Sequence, residues 1–143
     1  MLKSARLISE ALPDAVFLLA ESRALAPGIY DEILKEAPLA PKRLRDDSYN
    51  ILSVCDFALV TSGTATLETT ISLRPFVILY KAEALTYFLG KNLVRLPYIG
   101  LTNVIAGRKI VQEFIQHEAR PEAIAKTAIR YLTDMELRDN LMR

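Results

Sequence analysis

One cysteine, Cys55, and one histidine, His117, among 143 residues remove several chemistries at once. A lone cysteine forms no internal disulfide and no zinc cluster, so the setting expected is a reducing, cytosolic one. A lone histidine excludes any mechanism that needs two. His117 also lacks an acidic neighbour at a spacing suited to general-base work, and Cys55 reads as a small buried hydrophobe at a helix end. An excess of either charge is missing too. The 18 Lys+Arg and 17 Asp+Glu leave a formal net charge of +1, which excludes a generally basic nucleic-acid binder and an acidic solvating tail. No apolar run approaches the roughly 18 residues of a membrane-spanning helix. Leu12-Pro13-Asp14 interrupts the N-terminal segment before a signal-peptide core forms. Repeats, low-complexity tracts and linkers are absent. What is present is a chain 51% hydrophobic and 24% charged, enough to bury one core at the usual size of one domain.

Apolar positions at Leu2, Ala5, Leu7-Ile8 and Ala11-Leu12 predict an amphipathic helix stopped by Pro13, with no capping residue ahead of Leu2. Ala15 to Ala20 is a short continuous apolar run, the pattern of a strand buried on both faces of a parallel sheet. Pro27 to Ala37 predicts a helix with Ile29, Ile33 and Leu34 inward. Pro38 to Asp47 holds two prolines and three basic residues and has room for no more than a short edge strand. A short helix over Ser48 to Cys55 follows, then a strand at Phe57 to Val60, a helix over Ala65 to Leu73 and a strand at Phe76 to Tyr80. Beyond these come a helix from about Glu83 to Val94, an irregular segment from Pro97 to Gly107, and helices from Pro121 to Leu132 and from Asp134 onward. This alternation predicts an α/β fold with a Rossmann-like, doubly wound parallel sheet.

In such a sheet ligands lie beyond the carboxyl ends of the strands. The turn after Phe57–Val60 is Thr61-Ser62-Gly63-Thr64-Ala65-Thr66-Leu67-Glu68. Gly63 permits close backbone approach, and Ser62, Thr64 and Thr66 bring hydroxyls to a helix start whose amides and dipole suit a phosphate or diphosphate. The same residues also suit a plain helix cap. Glu68, one turn into the helix, can hold vicinal sugar hydroxyls or serve as an ordinary first-turn acid. Asn103, between Gly100 and Gly107-Arg108, can read a base edge or a sugar, or act as a turn residue. Glu113 and Gln116 can share one face of a short helix, or lie on a solvated surface. Charge is unevenly placed: from Arg74 to Lys109 there are six basic residues against Glu83 alone, a net +5. The predicted helix inside this region carries Leu85, Tyr87, Phe88, Leu89 and Leu93. Such a helix can rest on an anionic membrane or pack on a core.

Ser62-Gly63-Thr64-Ala65-Thr66-Leu67-Glu68, then Pro75 and Tyr80-Lys81, resembles the donor-binding half of lipid-A-disaccharide synthase. Leu85-Thr86-Tyr87 with Lys91, Pro97 to Arg108, and Val111-Gln112-Glu113-Phe114-Ile115-Gln116 continue the resemblance, so that it covers essentially the whole chain. Leu101-Thr102-Asn103 stands where the family usually has Leu-Pro-Asn, and Gln112 where a proline often precedes the glutamate. The resemblance implies one half of a GT-B glycosyltransferase that needs no metal or cofactor. Its reaction is the inverting transfer of 2,3-diacylglucosamine from UDP-2,3-diacylglucosamine to 2,3-diacylglucosamine 1-phosphate (lipid X) in lipid A and lipopolysaccharide biosynthesis. It also implies a cytoplasmic enzyme peripheral on the inner face of the bacterial inner membrane.

Carried over, Ser62, Gly63 and Thr64 approach the diphosphate and Glu68 holds the ribose, while Asn103, Arg108, Glu113 and Gln116 lie along the donor pocket. Met1-Leu2 matches a point inside a family helix, just after a strand and a glycine-serine-arginine loop. The expectation is therefore that residues 1–143 are a fragment, a C-terminal UDP-sugar-binding domain lacking its first strand. The catalytic base is expected in an N-terminal half. An isolated chain of this kind is expected to be poorly stable, with open edges on the strands at Ala15–Ala20 and Phe57–Val60 or direct pairing between them, and catalytically silent. Its partners are expected to be that half or a second copy, and an anionic membrane surface. The alternatives are a related UDP-sugar enzyme, such as a UDP-N-acetylglucosamine epimerase or the glycosyltransferase of lipid II synthesis, and a non-catalytic UDP-binding or partner-binding Rossmann-like module.

Overall fold

The computed structural model describes residues 1–22, 24–26, 28–45, 47–81 and 97–141, with side chains up to residue 138. Among them five parallel strands form two sheets. In the smaller, β1 (Leu18–Glu21) pairs with β2 (Lys42–Arg45), Leu18 standing opposite Lys42. In the larger, β4 (Phe76–Tyr80) lies between β3 (Ala58–Thr61) and β5 (Gln112–Ile115), with Ala58 opposite Phe76 and Val77 opposite Gln112. The connections carry α2 (Ile29–Leu34), α3 (Ser48–Val54), α4 (Ala65–Ile71) and α5 (Leu101–Ala106). α1 (Leu2–Ala11) opens the chain, and a 3₁₀ turn at Gln116–Glu118, α6 (Pro121–Thr133) and α7 (Met135–Leu141) follow β5. Parallel strands joined through helices make this the expected Rossmann-like α/β fold.

β4 shows why a continuous apolar run means a central strand. Phe76 and Ile78 point to one face and pack with Val60 and Val111; Val77 and Leu79 point to the other and pack with Phe114 and Ile124. A third cluster joins α1 to α6 through Ile8, Ala125 and Ala128, and receives both Phe17, which leads into β1, and Phe57, which leads into β3. Phe57 also stacks on Tyr131, ring centroids 5.5 Å apart. Pro121 sits in the first turn of α6, where its missing N–H costs nothing. Asp134 caps α7 by accepting the Leu137 N–H at 2.9 Å.

Several expectations need correction. β1 begins at Leu18 rather than Ala15 and is only partly buried, with Ala20 exposed. The open edges expected on it and on β3 are there: neither has a strand partner on its second edge among the described residues, and the two do not pair with each other. α2 is shorter than expected, and Ile29 and Ile33 are exposed rather than inward. It is held instead by polar contacts: Arg43 of β2 pairs with Glu21 and Asp31, and the Tyr30 hydroxyl accepts the Ser22 N–H at 2.9 Å. The segment expected to be irregular contains α5, and Glu113 and Gln116 lie in β5 and the 3₁₀ turn rather than on one helix. The helix expected from Glu83 to Val94 lies outside the described residues.

Candidate functional site

The turn after β3 leaves the sheet at Ser62, whose N–H donates to Leu79 O at 3.1 Å and so prolongs the β3–β4 ladder by one bond. Gly63 then takes φ +151°, a conformation that side-chain-bearing residues rarely adopt. The turn closes into α4 through bonds to its carbonyls. Thr66 N–H and Thr66 Oγ1 reach Gly63 O at 3.2 and 2.8 Å, while Leu67 and Glu68 N–H reach Thr64 O at 2.9 and 3.2 Å. Among the described residues, the N–H groups of Gly63, Thr64 and Ala65 have no acceptor. Three successive donors without acceptors at an exposed helix start are orphans of helix geometry, and such groups suit an anion.

The hydroxyls are used differently from the expectation. Thr66 is fully buried, and its proton goes back to Gly63 O. Ser62 Oγ donates across 37 residues to Ile99 O at 3.1 Å. Thr64 remains exposed. Glu68 is half-buried, and its carboxylate has no partner among the described residues.

Asn103 and Glu113 meet beneath this turn. The Glu113 carboxylate accepts the Ile99 and Gly100 N–H groups, both at 3.0 Å, and Asn103 Nδ2 at 2.9 Å. Asn103 Nδ2 also donates to Val111 O at 2.8 Å, while Asn103 Oδ1 accepts the Ile110 and Val111 N–H groups, both at 2.9 Å. Both side chains are buried, as a low-dielectric interior allows when polar groups are fully bonded. A Cβ on Gly100 would strike Ile78 Cδ1 and lie 3.1 Å from Glu113 Oε1, so only glycine lets this backbone so close. Thr102 Oγ1, Thr70 Oγ1 and Thr66 O form a triangle at 2.7–3.1 Å that ties α5 to α4.

The structure thus brings together Ser62, Gly63, Thr64 and Glu68, and links them to Asn103 and Glu113 through Ile99–Gly100. Gln116 follows the carboxyl end of β5, half-buried, at φ +50°. Arg108 is not brought in: it is exposed in the turn that leads into the amino end of β5. Ile99 and Gly100 fall within the segment that the sequence marks around Asn103, but their part, presenting a peptide between Ser62 and Glu113, comes from contacts in the fold. The sequence reading missed the Arg43 cluster, which borders a depression of about 160 Å³ at the carboxyl ends of β1 and β2. Hydrogen bonds to Glu21 and then Asp31 raise the Arg43 guanidinium further above its ordinary value.

The family model described as Lipid-A-disaccharide synthetase matches residues 1–142. Similar proteins include the lipid-A-disaccharide synthase of Persephonella marina, 46% identical over 72% of this chain and 28% of the relative. That of Geobacter sulfurreducens is 38% identical over 94% of this chain and 35% of the relative. That of Chromobacterium violaceum is 37% identical over 98% and 37%. The chain spans about a third of the length of the curated relatives it matches.

Proposed function

The chain belongs to the lipid-A-disaccharide synthase family, and from that premise we propose that it is the donor-binding half of a GT-B glycosyltransferase that acts within a longer protein. The donor is UDP-2,3-diacylglucosamine and the acceptor is lipid X. The observation that carries this reading is the run of amides at Gly63, Thr64 and Ala65, with the Glu68 carboxylate one turn further on, none of which has a partner among the described residues. An anion at the amides and a diol at the carboxylate together describe the two halves of a nucleoside diphosphate. Amides fixed before reaction stabilise a departing diphosphate without reorganising as charge develops.

The sheets support the longer protein. One parallel strand between β1 and β3 would turn the orders β2-β1 and β3-β4-β5 into the six-stranded doubly wound order, whose switch point is the usual place for a nucleotide. Phe17 and Phe57 already approach that position from a shared cluster. The base that activates the acceptor hydroxyl is then supplied by the other half of the longer protein, as the family resemblance implies. The six basic residues between Arg74 and Lys109 favour association with an anionic membrane from the cytoplasmic side, where both acylated substrates reside.

The test is formation of disaccharide 1-phosphate from the two substrates. The chain alone should be silent. Joined to the preceding two-thirds of the Geobacter sulfurreducens relative it should turn over. Turnover by the chain alone, or a folded and inactive fusion, contradicts the proposal.

A further inference from the structure

We propose that Glu113 is a positioning residue that sets the Ser62–Thr64 turn through the Ile99–Gly100 peptide. The N–H and C=O of a trans peptide point in opposite directions. Here the N–H side, Gly100 N, donates to Glu113 Oε1 at 3.0 Å, and the C=O side, Ile99 O, accepts Ser62 Oγ at 3.1 Å. A carboxylate on the amide side polarises the same peptide and strengthens its carbonyl as an acceptor. The second oxygen of Glu113 holds Ile99 N at 3.0 Å, so the peptide cannot rotate away. Packing enforces the register, because Gly100 is pressed against Ile78 of β4. Ser62 has one hydroxyl proton, and it goes to Ile99. Its work at the site is therefore to anchor the turn, and the amides of Gly63, Thr64 and Ala65 are what face the ligand. Glu113, buried with all its partners internal, acts on the ligand only through this relay.

The inference rests on the turn being the diphosphate site, and the experiment separates the two. UDP is titrated into the wild-type chain, Glu113→Gln, Ser62→Ala and the double variant, with the Gly100 amide proton shift followed by NMR. The glutamine amide group cannot accept from the donors that the lost oxygen held. Glu113→Gln should move the Gly100 resonance upfield and weaken UDP by about tenfold, the size of one hydrogen-bonded restraint. Ser62→Ala should weaken UDP similarly, and the double variant should be no weaker than either single one. Additive losses, or a moved Gly100 resonance with unchanged UDP affinity, overturn the positioning role while leaving the site intact. A folded wild-type chain without UDP affinity overturns the site itself. Should Glu113→Gln fail to fold, Ser62→Ala decides alone: the Ile99 carbonyl carbon must shift and UDP affinity must fall, and unchanged affinity refutes the relay.

Discussion

Replacing Asn103 by alanine tests the buried network most severely. Asn103 is 0% exposed and makes four hydrogen bonds, two through each end of its amide. Alanine strips partners from the Val111 N–H and Val111 C=O, and takes one donor from Glu113. The Ile110 N–H is only half-buried and can rehydrate. At about 1–3 kcal/mol for each buried group left alone, the loss comes to about 3–5 kcal/mol. With a urea slope of about 2 kcal/mol/M, the unfolding midpoint falls by about 2 M.

Asn103→Asp sharpens the test. One oxygen still accepts the Ile110 and Val111 amides, but the other faces Val111 O and Glu113 Oε1 where Nδ2 stood at 2.8 and 2.9 Å. Two carboxylates that close share a proton, so the folded state binds it more tightly than the unfolded state does. Stability of this variant therefore rises as pH falls from 7 toward 5, whereas Asn103→Ala shows no such recovery. Urea titrations followed by circular dichroism at both pH values measure this. A loss below about 1 kcal/mol for Asn103→Ala, or no acid recovery for Asn103→Asp, refutes the network as described.

The two glycines of the site should fail for different reasons. Gly100→Ala keeps an allowed backbone, φ −76°, and suffers from Ile78; it should cost about 1–3 kcal/mol through overpacking and move the Ile78 methyl signals. Gly63→Ala meets no atom within 4 Å, so its cost of about 1–3 kcal/mol comes from φ +151° alone and leaves those methyls in place. Cys55 makes a pH prediction. Burial first, with Asp56 adding to it and Arg74 opposing, raises its thiol above the ordinary value. The folded state then holds that proton more tightly, so stability is full below about pH 9 and declines above it. Cys55→Ser should flatten that decline in denaturation measured from pH 8 to 10, and an unchanged slope would exclude Cys55 as its source.

Elements whose signal is local were legible in the sequence. β4 announced itself by five apolar residues behind Pro75, and α6 by Pro121 with Ile124, Ala128 and Ile129 at helical spacing. β5 was not legible, because a charged residue at its second position argues against a buried strand. Glu113 is tolerated there only through partners 10 to 14 residues away. β2 was legible only as room for a short edge strand between Pro38 and Asp47, because Lys42, Arg43 and Arg45 are exposed on a strand with one neighbour. The same division runs through the site. Ser62 to Glu68 is one contiguous turn and could be read directly. That Ser62 and Thr66 spend their protons on backbone carbonyls, and that Asn103 and Glu113 are buried together, depends on contacts no spacing rule reveals.

Calorimetric titration of UDP into the folded chain, with ADP as control, is the most direct test of the donor site. UDP should bind in preference to ADP, and Glu68→Ala should weaken it by about tenfold or more, one charge-assisted bond, without lowering the unfolding midpoint, since that carboxylate has no partner among the described residues. A folded chain that binds neither nucleotide, or binds UDP equally well with Glu68→Ala, would contradict the assignment.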